Sequence, residues 1–329
     1  MTEPLRLVVW AGMPDPGALA SVGRRIGREL EIEVISSNED LERLLESQPP
    51  FDLITPSDYL VEKLVAHGRL ADISDGVGKK WENLESWARH PVWDPEEAFC
   101  LPLAFGTTGL LVSESRTSGF ESWEQFFSPE EDMRIGLLDE VREVVGAALI
   151  ASGHSPNEVA LDLLDQAGRL LRQQRNSVVS VSSDDFTGPV ERGAVDVHHA
   201  WSGPASMAVR NDSDLRYVVP REGALLWTTT GAVPVDAPDP EAAVRFLREL
   251  ADPELAAMAV TNGGYSTPNA KARAVLATEL DRDRALFPDE ETIRHCRTLT
   301  SLSREGELAM SSVLDRYSVP RGRAVDSRT

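Results

Sequence analysis

Basic side chains are scarce in this chain of 329 residues: 33 lysines and arginines stand against 54 aspartates and glutamates, a formal charge of −21. Such an acidic chain repels phosphate backbones and anionic lipid, which excludes general nucleic-acid binding and argues against a membrane-surface role. Cysteine is equally sparse. Cys100 and Cys296 are too few for a disulfide framework or a thiolate metal site; one pairing between them is open to the sequence, and they read as two buried or partly buried thiols. No stretch approaches the roughly 20 apolar residues of a spanning helix. The opening run from Met1 to Trp10 has no basic region, long apolar segment or cleavage site. The chain therefore reads either as cytoplasmic from Met1, or as a periplasmic or cell-surface form whose export signal has been removed. Catalytic signatures are missing too: there is no Gly-x-Ser-x-Gly elbow, Walker-type phosphate loop or His-Glu-x-x-His. His198 and His199 are adjacent in a strand-like run, where neighbours face opposite sides and cannot jointly hold a metal. No catalytic residue, metal or cofactor is expected.

What is present is an ordinary globular balance, 41% hydrophobic and 26% charged, at a length that suits two domains. Short apolar runs alternate with longer amphipathic ones, the pattern of an α/β protein. Strands are expected at Leu5–Trp10, Glu31–Ile35, Phe51–Thr55, Arg134–Leu138, Ser177–Val181, Asp196–Trp201 and Arg216–Pro220. Helices are expected at Pro16–Leu30, Asn38–Ser47, Leu60–His67, Glu140–Ser152, Glu158–Asn176, Pro240–Leu250 and Pro253–Thr261, and the part beyond Asp289 is mostly helical. Leu101–Val112 is a long apolar run that is either one bent strand or a connector between domains. Ala224–Val235 is a further strand. The last segment, Pro320–Thr329, has no apolar periodicity and is expected to fray.

Aromatic and acidic residues fall at strand ends. Trp10 closes the first strand, Tyr59 follows the third, Trp201 ends Asp196–Trp201, Trp227 lies within Ala224–Val235, and Tyr265 sits in a Gly-Gly-Tyr-Ser-Thr-Pro-Asn loop. Ligands of open α/β sheets bind outside the carboxyl ends of strands, so aromatics there are placed to line a cleft, although each alone is as readily a core residue. Asp139 is expected to cap the helix that begins with Glu140 and Glu143. Acids in that first turn complement the helix dipole, and they also turn an anion pocket into one that favours an ammonium group. Acids beside an aromatic box suit an organic cation, each cation–π contact contributing about 0.5–2 kcal/mol.

These positions lie within segments that resemble the bacterial spermidine/putrescine-binding proteins of polyamine ABC importers. They are Phe51-Asp-Leu-Ile-Thr-Pro-Ser-Asp-Tyr59, Pro102-Leu-Ala-Phe-Gly-Thr-Thr-Gly109, Leu137-Leu-Asp-Glu-Val-Arg-Glu143, Ala200-Trp-Ser-Gly203, Pro220-Arg-Glu-Gly-Ala-Leu-Leu-Trp227, Gly264-Tyr-Ser-Thr-Pro-Asn269 and Phe287-Pro-Asp-Glu-Glu-Thr-Ile293. The resemblance implies a type II periplasmic-binding-protein fold, two α/β lobes joined by two hinge crossings at Leu101–Val112 and Ala224–Val235. It implies lobe bounds of 1–104 with 228–275 and 105–227 with 276–329, with a ligand cleft between them. It implies a monomer that captures a small organic cation for an ABC permease. Its aromatic box corresponds to Trp10, Tyr59, Trp201, Trp227 and Tyr265; Ser57 corresponds to a serine beside the ligand, and Glu140 and Glu143 to acids that contact ligand amines.

The chain departs from that pattern at Thr229, which stands where the family places a ligand-binding aspartate, at Val319 in place of a glutamine, and at Met13 in place of a tyrosine. A hydroxyl does not balance a desolvated ammonium, so a ligand charged at one end is expected in place of an ordinary diamine. A cytosolic enzyme or ligand sensor on the same fold is the alternative, because fold alone does not decide function. Under the enzyme reading Glu140, Glu143 and His199 are the acid–base candidates.

Overall fold

The computed structural model describes residues 3–47 and 49–321. Most of the segment expected to fray, 322–329, lies outside them. The chain divides into two compact units, Met1–Gly106 with Trp227–Phe287 and Thr107–Leu226 with Pro288–Thr329. In chain order the first unit opens with β1 (Leu5–Trp10), α1 (Pro16–Ile26), β2 (Leu30–Ile35), α2 (Asn38–Ser47), β3 (Leu53–Ile54), α3 (Asp58–Ala66) and α4 (Ser74–Val77), and leads into β4 (Cys100–Ser113). The second unit follows with α5 (Trp123–Phe127), β5 (Ile135–Leu137), α6 (Val141–Ala151), α7 (Leu161–Gln174), β6 (Val178–Val181), α8 (Gly188–Glu191), β7 (Val197–Trp201), α9 (Ser202–Asn211) and β8 (Leu215–Val218), then β9 (Leu225–Ala232). The first unit resumes with α10 (Pro240–Leu250), α11 (Pro253–Gly263), α12 (Ala270–Arg273) and α13 (Thr278–Asp281). The second closes with α14 (Glu290–His295), β10 (Arg297–Thr298) and α15 (Arg304–Arg316). The chain thus changes unit inside β4, again inside β9 and a third time between Phe287 and Pro288.

In the first unit β1 pairs in parallel with both β2 and β3, and β3 meets β9 antiparallel at Ile54 and Ala232. Alternation along β1 feeds two cores. Leu5, Leu7 and Val9 pack with Ala18, Leu19 and Val22 of α1 and with Phe246 and Leu247 of α10. Val8 and Trp10 turn the other way, among Ile35, Phe51, Ile54 and Leu60. Helix α1 starts where Asp15 accepts the Ala18 N–H at 2.8 Å with Pro16 behind it. It stops before the expected Leu30 because Gly27 takes a left-handed conformation, φ 69°. That ending frees Leu30 to begin β2 opposite Leu5.

In the second unit β5 pairs in parallel with β6 and β7, and β4 runs antiparallel to β7 and β8. Its core gathers Leu111, Leu138, Val190, Ala200, Ala205 and Leu215. Two glycines permit this packing. A Cβ at Gly109 would stand 2.3 Å from the Val218 carbonyl oxygen, and one at Gly136 would stand 1.9 Å from the His198 ring. Cys100 is buried in the first unit and Cys296 in the second, and both are free thiols.

Candidate functional site

Strand polarity decides what each unit presents, since parallel strands deliver the residues just past their carboxyl ends to a common edge. Trp10 is the last residue of β1, Ser57 and Tyr59 follow β3, and Asn38 begins the helix after β2. Asn38 is 6% exposed and ties these loops together. Its amide nitrogen donates to Ser57 Oγ at 3.0 Å and to the Tyr59 hydroxyl at 2.8 Å, while its Oδ1 accepts the Ser57 N–H at 3.2 Å. Trp10 spends its indole N–H on the Thr55 carbonyl at 2.7 Å, which leaves its ring face as its contribution.

Ser57 bridges antiparallel to Thr229 of β9. Thr229 is 3% exposed, and its hydroxyl makes no hydrogen bond among the described residues. Two residues earlier on the same strand face stands Trp227, whose ring lies 6.4 Å from that of Tyr265 at 70°. The Trp227 Nε1 is buried and has no hydrogen-bond partner among the described residues. Asp58, flanked by Ser57 and Tyr59, accepts the Thr228 N–H at 3.0 Å and the Tyr59 N–H at 2.8 Å, and so straps α3 to β9. Burial raises the Tyr265 hydroxyl above its ordinary pKa. Of the residues read as site positions, Trp10, Ser57, Tyr59, Trp227, Thr229 and Tyr265 therefore form one connected patch.

The second unit brings the remaining three together. Glu140, not Asp139, is the N-cap of α6, one residue later than expected: its backbone is still extended (φ −128°, ψ 99°) and the helix begins at Val141, while the Asp139 N–H donates to Ser183 Oγ at 3.0 Å. Glu143 lies in the first turn, and Trp201, the last residue of β7, donates its indole N–H to Glu143 Oε2 at 2.8 Å. The Trp201 ring in turn meets Phe186 edge-on at 5.6 Å and 89°. Protein atoms crowd the Glu143 carboxyl, and that desolvation pushes its pKa up to about 7, against the pull of the Trp201 donor and of Thr108. Thr108 favours the ionised form although its buried Oγ1 has no hydrogen bond of good geometry among the described residues. The residue keeps some solvent contact, which tempers the rise without reversing it.

Sequence reasoning passed over Asn38 and Phe186. Asn38 carries the same signal as Trp10 and Tyr59, a position just past a strand, but an asparagine at a helix start reads first as a cap. His199 is 1% exposed, neither of its ring nitrogens has a hydrogen-bond partner among the described residues, and it packs against Trp123 and Phe126. An imidazole sealed in this way does not serve as an acid or base for a substrate. Met13 and Val319 are both buried apolar side chains.

The sequence model for bacterial extracellular solute-binding proteins matches residues 23–288. The chain belongs to this family. This solute-binding protein is 28% identical over 312 residues to the spermidine/putrescine-binding periplasmic protein of Escherichia coli, covering 94% of this chain and 88% of that one. It is 28% identical to spermidine/putrescine-binding periplasmic protein 1 of Haemophilus influenzae, across 89% of this chain and 83% of that one. Among solved structures, the spermidine/putrescine ABC transporter substrate-binding protein of Streptococcus pneumoniae aligns with a TM-score of 0.86 at 25% identity, over 96% of this chain and 99% of that one. A binding protein from Agrobacterium tumefaciens in complex with glucopine shares the fold at a TM-score of 0.75 and 16% identity. The fold is thus the type II periplasmic-binding-protein fold, and the proteins it matches are named for binding, not for catalysis.

Proposed function

We propose that this solute-binding protein captures a small organic cation, an amine of polyamine-like size, and hands it to an ABC permease. The observation that carries this reading is the Glu143 carboxylate, held by the Trp201 indole N–H one helical turn from Glu140 at the edge of a parallel sheet. A half-buried carboxylate with two acceptor oxygens, one of them already fixed in direction, is a counter-charge waiting for a donor. The strand-end aromatics add π faces that attract the same charge and repel an anion. In this reading Glu140, Glu143 and Trp201 are the ligand-contacting residues of the second unit, and Trp10, Ser57, Tyr59, Trp227, Thr229 and Tyr265 are those of the first. The names of the similar proteins support the ligand class and the transporter partner.

Thermal-shift and calorimetric screening against amines, guanidines, amino acids, sugars and carboxylates tests it. Ligand at about 100 times its Kd adds roughly 2.7 kcal/mol of stability, so an amine should raise the melting temperature visibly. A protein stabilised by carboxylates or sugars and indifferent to every amine would overturn the proposal.

A further inference from the structure

The loop that joins β6 to α8, residues 182–187, is polar except for one ring. Its own side chains fold it: the Asp185 N–H donates to Ser182 Oγ at 3.0 Å, and Asp185 Oδ1 accepts the Gly188 N–H at 3.0 Å. Ser183 Oγ takes the Asp139 N–H at 3.0 Å, which ties the loop to the turn between β5 and α6, just ahead of Glu140 and Glu143. The one ring is Phe186, 4% exposed although Asp184 and Asp185 before it face solvent. It packs in an apolar cluster with Leu138, Val190 and Ala205. The ring also reaches two side chains of β7, His198 at 6.0 Å and 46° and Trp201 at 5.6 Å and 89°. The hydrogen bond from Trp201 to Glu143 fixes only one edge of the indole, which can still tilt about that bond. An aromatic neighbour at a right angle favours one tilt, because the positive edge of one ring seeks the negative face of the other. An aliphatic side chain in the same space would keep the apolar contact and lose that preference.

We infer that Phe186 is a positioning residue: from its loop it sets the tilt of the Trp201 ring and, through the indole N–H, the direction of the Glu143 carboxylate. This deepens the proposed function and rests on it for the effect on affinity, whereas the ring geometry is tested without any ligand. The first measurement is the Trp201 indole N–H resonance in 15N-labelled protein, identified by its loss in Trp201→Phe. In the wild type it should titrate at about pH 7 as Glu143 takes up a proton. In Phe186→Leu the amplitude of that titration should fall by about half or more as the indole loses its fixed tilt. Calorimetry at about pH 8 with putrescine and spermidine should show affinity falling about two- to tenfold in the same variant. Leu171→Ala is the control: Leu171 is fully buried in the same unit but outside the Phe186 cluster. It should lower the melting temperature and leave both the titration and the affinity unmoved. A folded Phe186→Leu with the wild-type titration would overturn the inference, and so would a Leu171→Ala that damps the titration as much. A wild type that binds no amine would overturn the proposed function and leave the positioning role to stand or fall on the titration. Cross-relaxation between the Phe186 and Trp201 ring protons is expected in the unaltered protein, and its absence would overturn the inference even if Phe186→Leu does not fold.

Discussion

In the first unit the side chain that organises the strand-end residues is neutral: Asn38 donates to Ser57 and Tyr59 from a nearly buried position. In the second unit the organiser is Glu143, which accepts from Trp201 and carries a pKa raised to about 7. Both sit past the carboxyl ends of parallel strands, so the same backbone logic positions them. The difference lies in what each hydrogen bond leaves over. An amide that donates to two hydroxyls carries no charge of its own, whereas a carboxylate that has accepted one indole leaves a negative charge and a further acceptor oxygen. Position comes from the fold, and under the proposed function the sign of the ligand follows from the Glu143 carboxylate.

Removing the charge in the second unit should have the largest effect. Glu143→Gln keeps the shape and an acceptor for Trp201 but deletes the counter-charge. A hydrogen bond to a charged group is worth about 1.5–3 kcal/mol, so cation affinity measured by calorimetry should fall roughly 10- to 150-fold. The wild-type protein should show the same loss through protonation. With Glu143 at about 7, lowering the pH from about 8 to about 6 should weaken cation binding roughly tenfold, and the Gln variant should be flat over that range. A wild-type affinity that does not fall on acidification would mean that Glu143 does not face the ligand.

A smaller effect is expected from the neutral organiser. Asn38→Ala leaves Ser57 and Tyr59 without their common partner but changes no charge. Affinity should drop about three- to tenfold, and the stability of the first unit by about 1–3 kcal/mol for the groups left unsatisfied. Calorimetry and a melting curve measure both. A loss as large as that of Glu143→Gln would erase the contrast between the two patches.

Much of this arrangement was legible in the sequence, and its failures are instructive. Trp10 ends β1 and Trp201 ends β7 as the apolar runs indicated, because a strand buried on one or both faces writes its length in its side chains. Helix α1 read too long because Leu30 continues the apolar rhythm, while the left-handed Gly27 that ends the helix is a backbone event. Helix α9 went unread, since Ser202-Gly-Pro204 looks like a turn; Pro204 is tolerated because it sits in the first turn, where N–H groups have no partner within the helix. The Asn38 network and the raised Glu143 pKa were out of reach for another reason. Both depend on residues 19 to 58 positions away that meet only after folding.

The smallest effect on ligand binding, under about twofold on the standing of surface-remote substitutions, is expected from His199→Leu, and it tests whether the second unit's chemistry is confined to its strand ends. His199 is sealed against Trp123 and Phe126, and burial, with the neighbouring His198, holds its pKa down to about 3. A histidine depressed below its ordinary 6.5 contributes stability that is complete above that value and lost as the pH falls from there toward about 3, because the unfolded chain takes up the proton that the folded chain refuses. Glu143 acts in the opposite sense between its ordinary 4.5 and about 7: its raised pKa favours the folded state at the acid end and loses that contribution as pH rises. The two must be separated, so acid unfolding is best followed in the Glu143→Gln background. There, His199→Leu should move the acid midpoint to lower pH and raise stability near pH 4 by a few kcal/mol, on the order of the linkage for one buried imidazole. It should leave the affinity difference between cations and neutral ligands as it was. An unchanged acid midpoint would show that the sealed imidazole is not what makes the second unit sensitive to acid. A collapse of ligand affinity would show that the strand-end patch and the aromatic core behind it are one energetic unit.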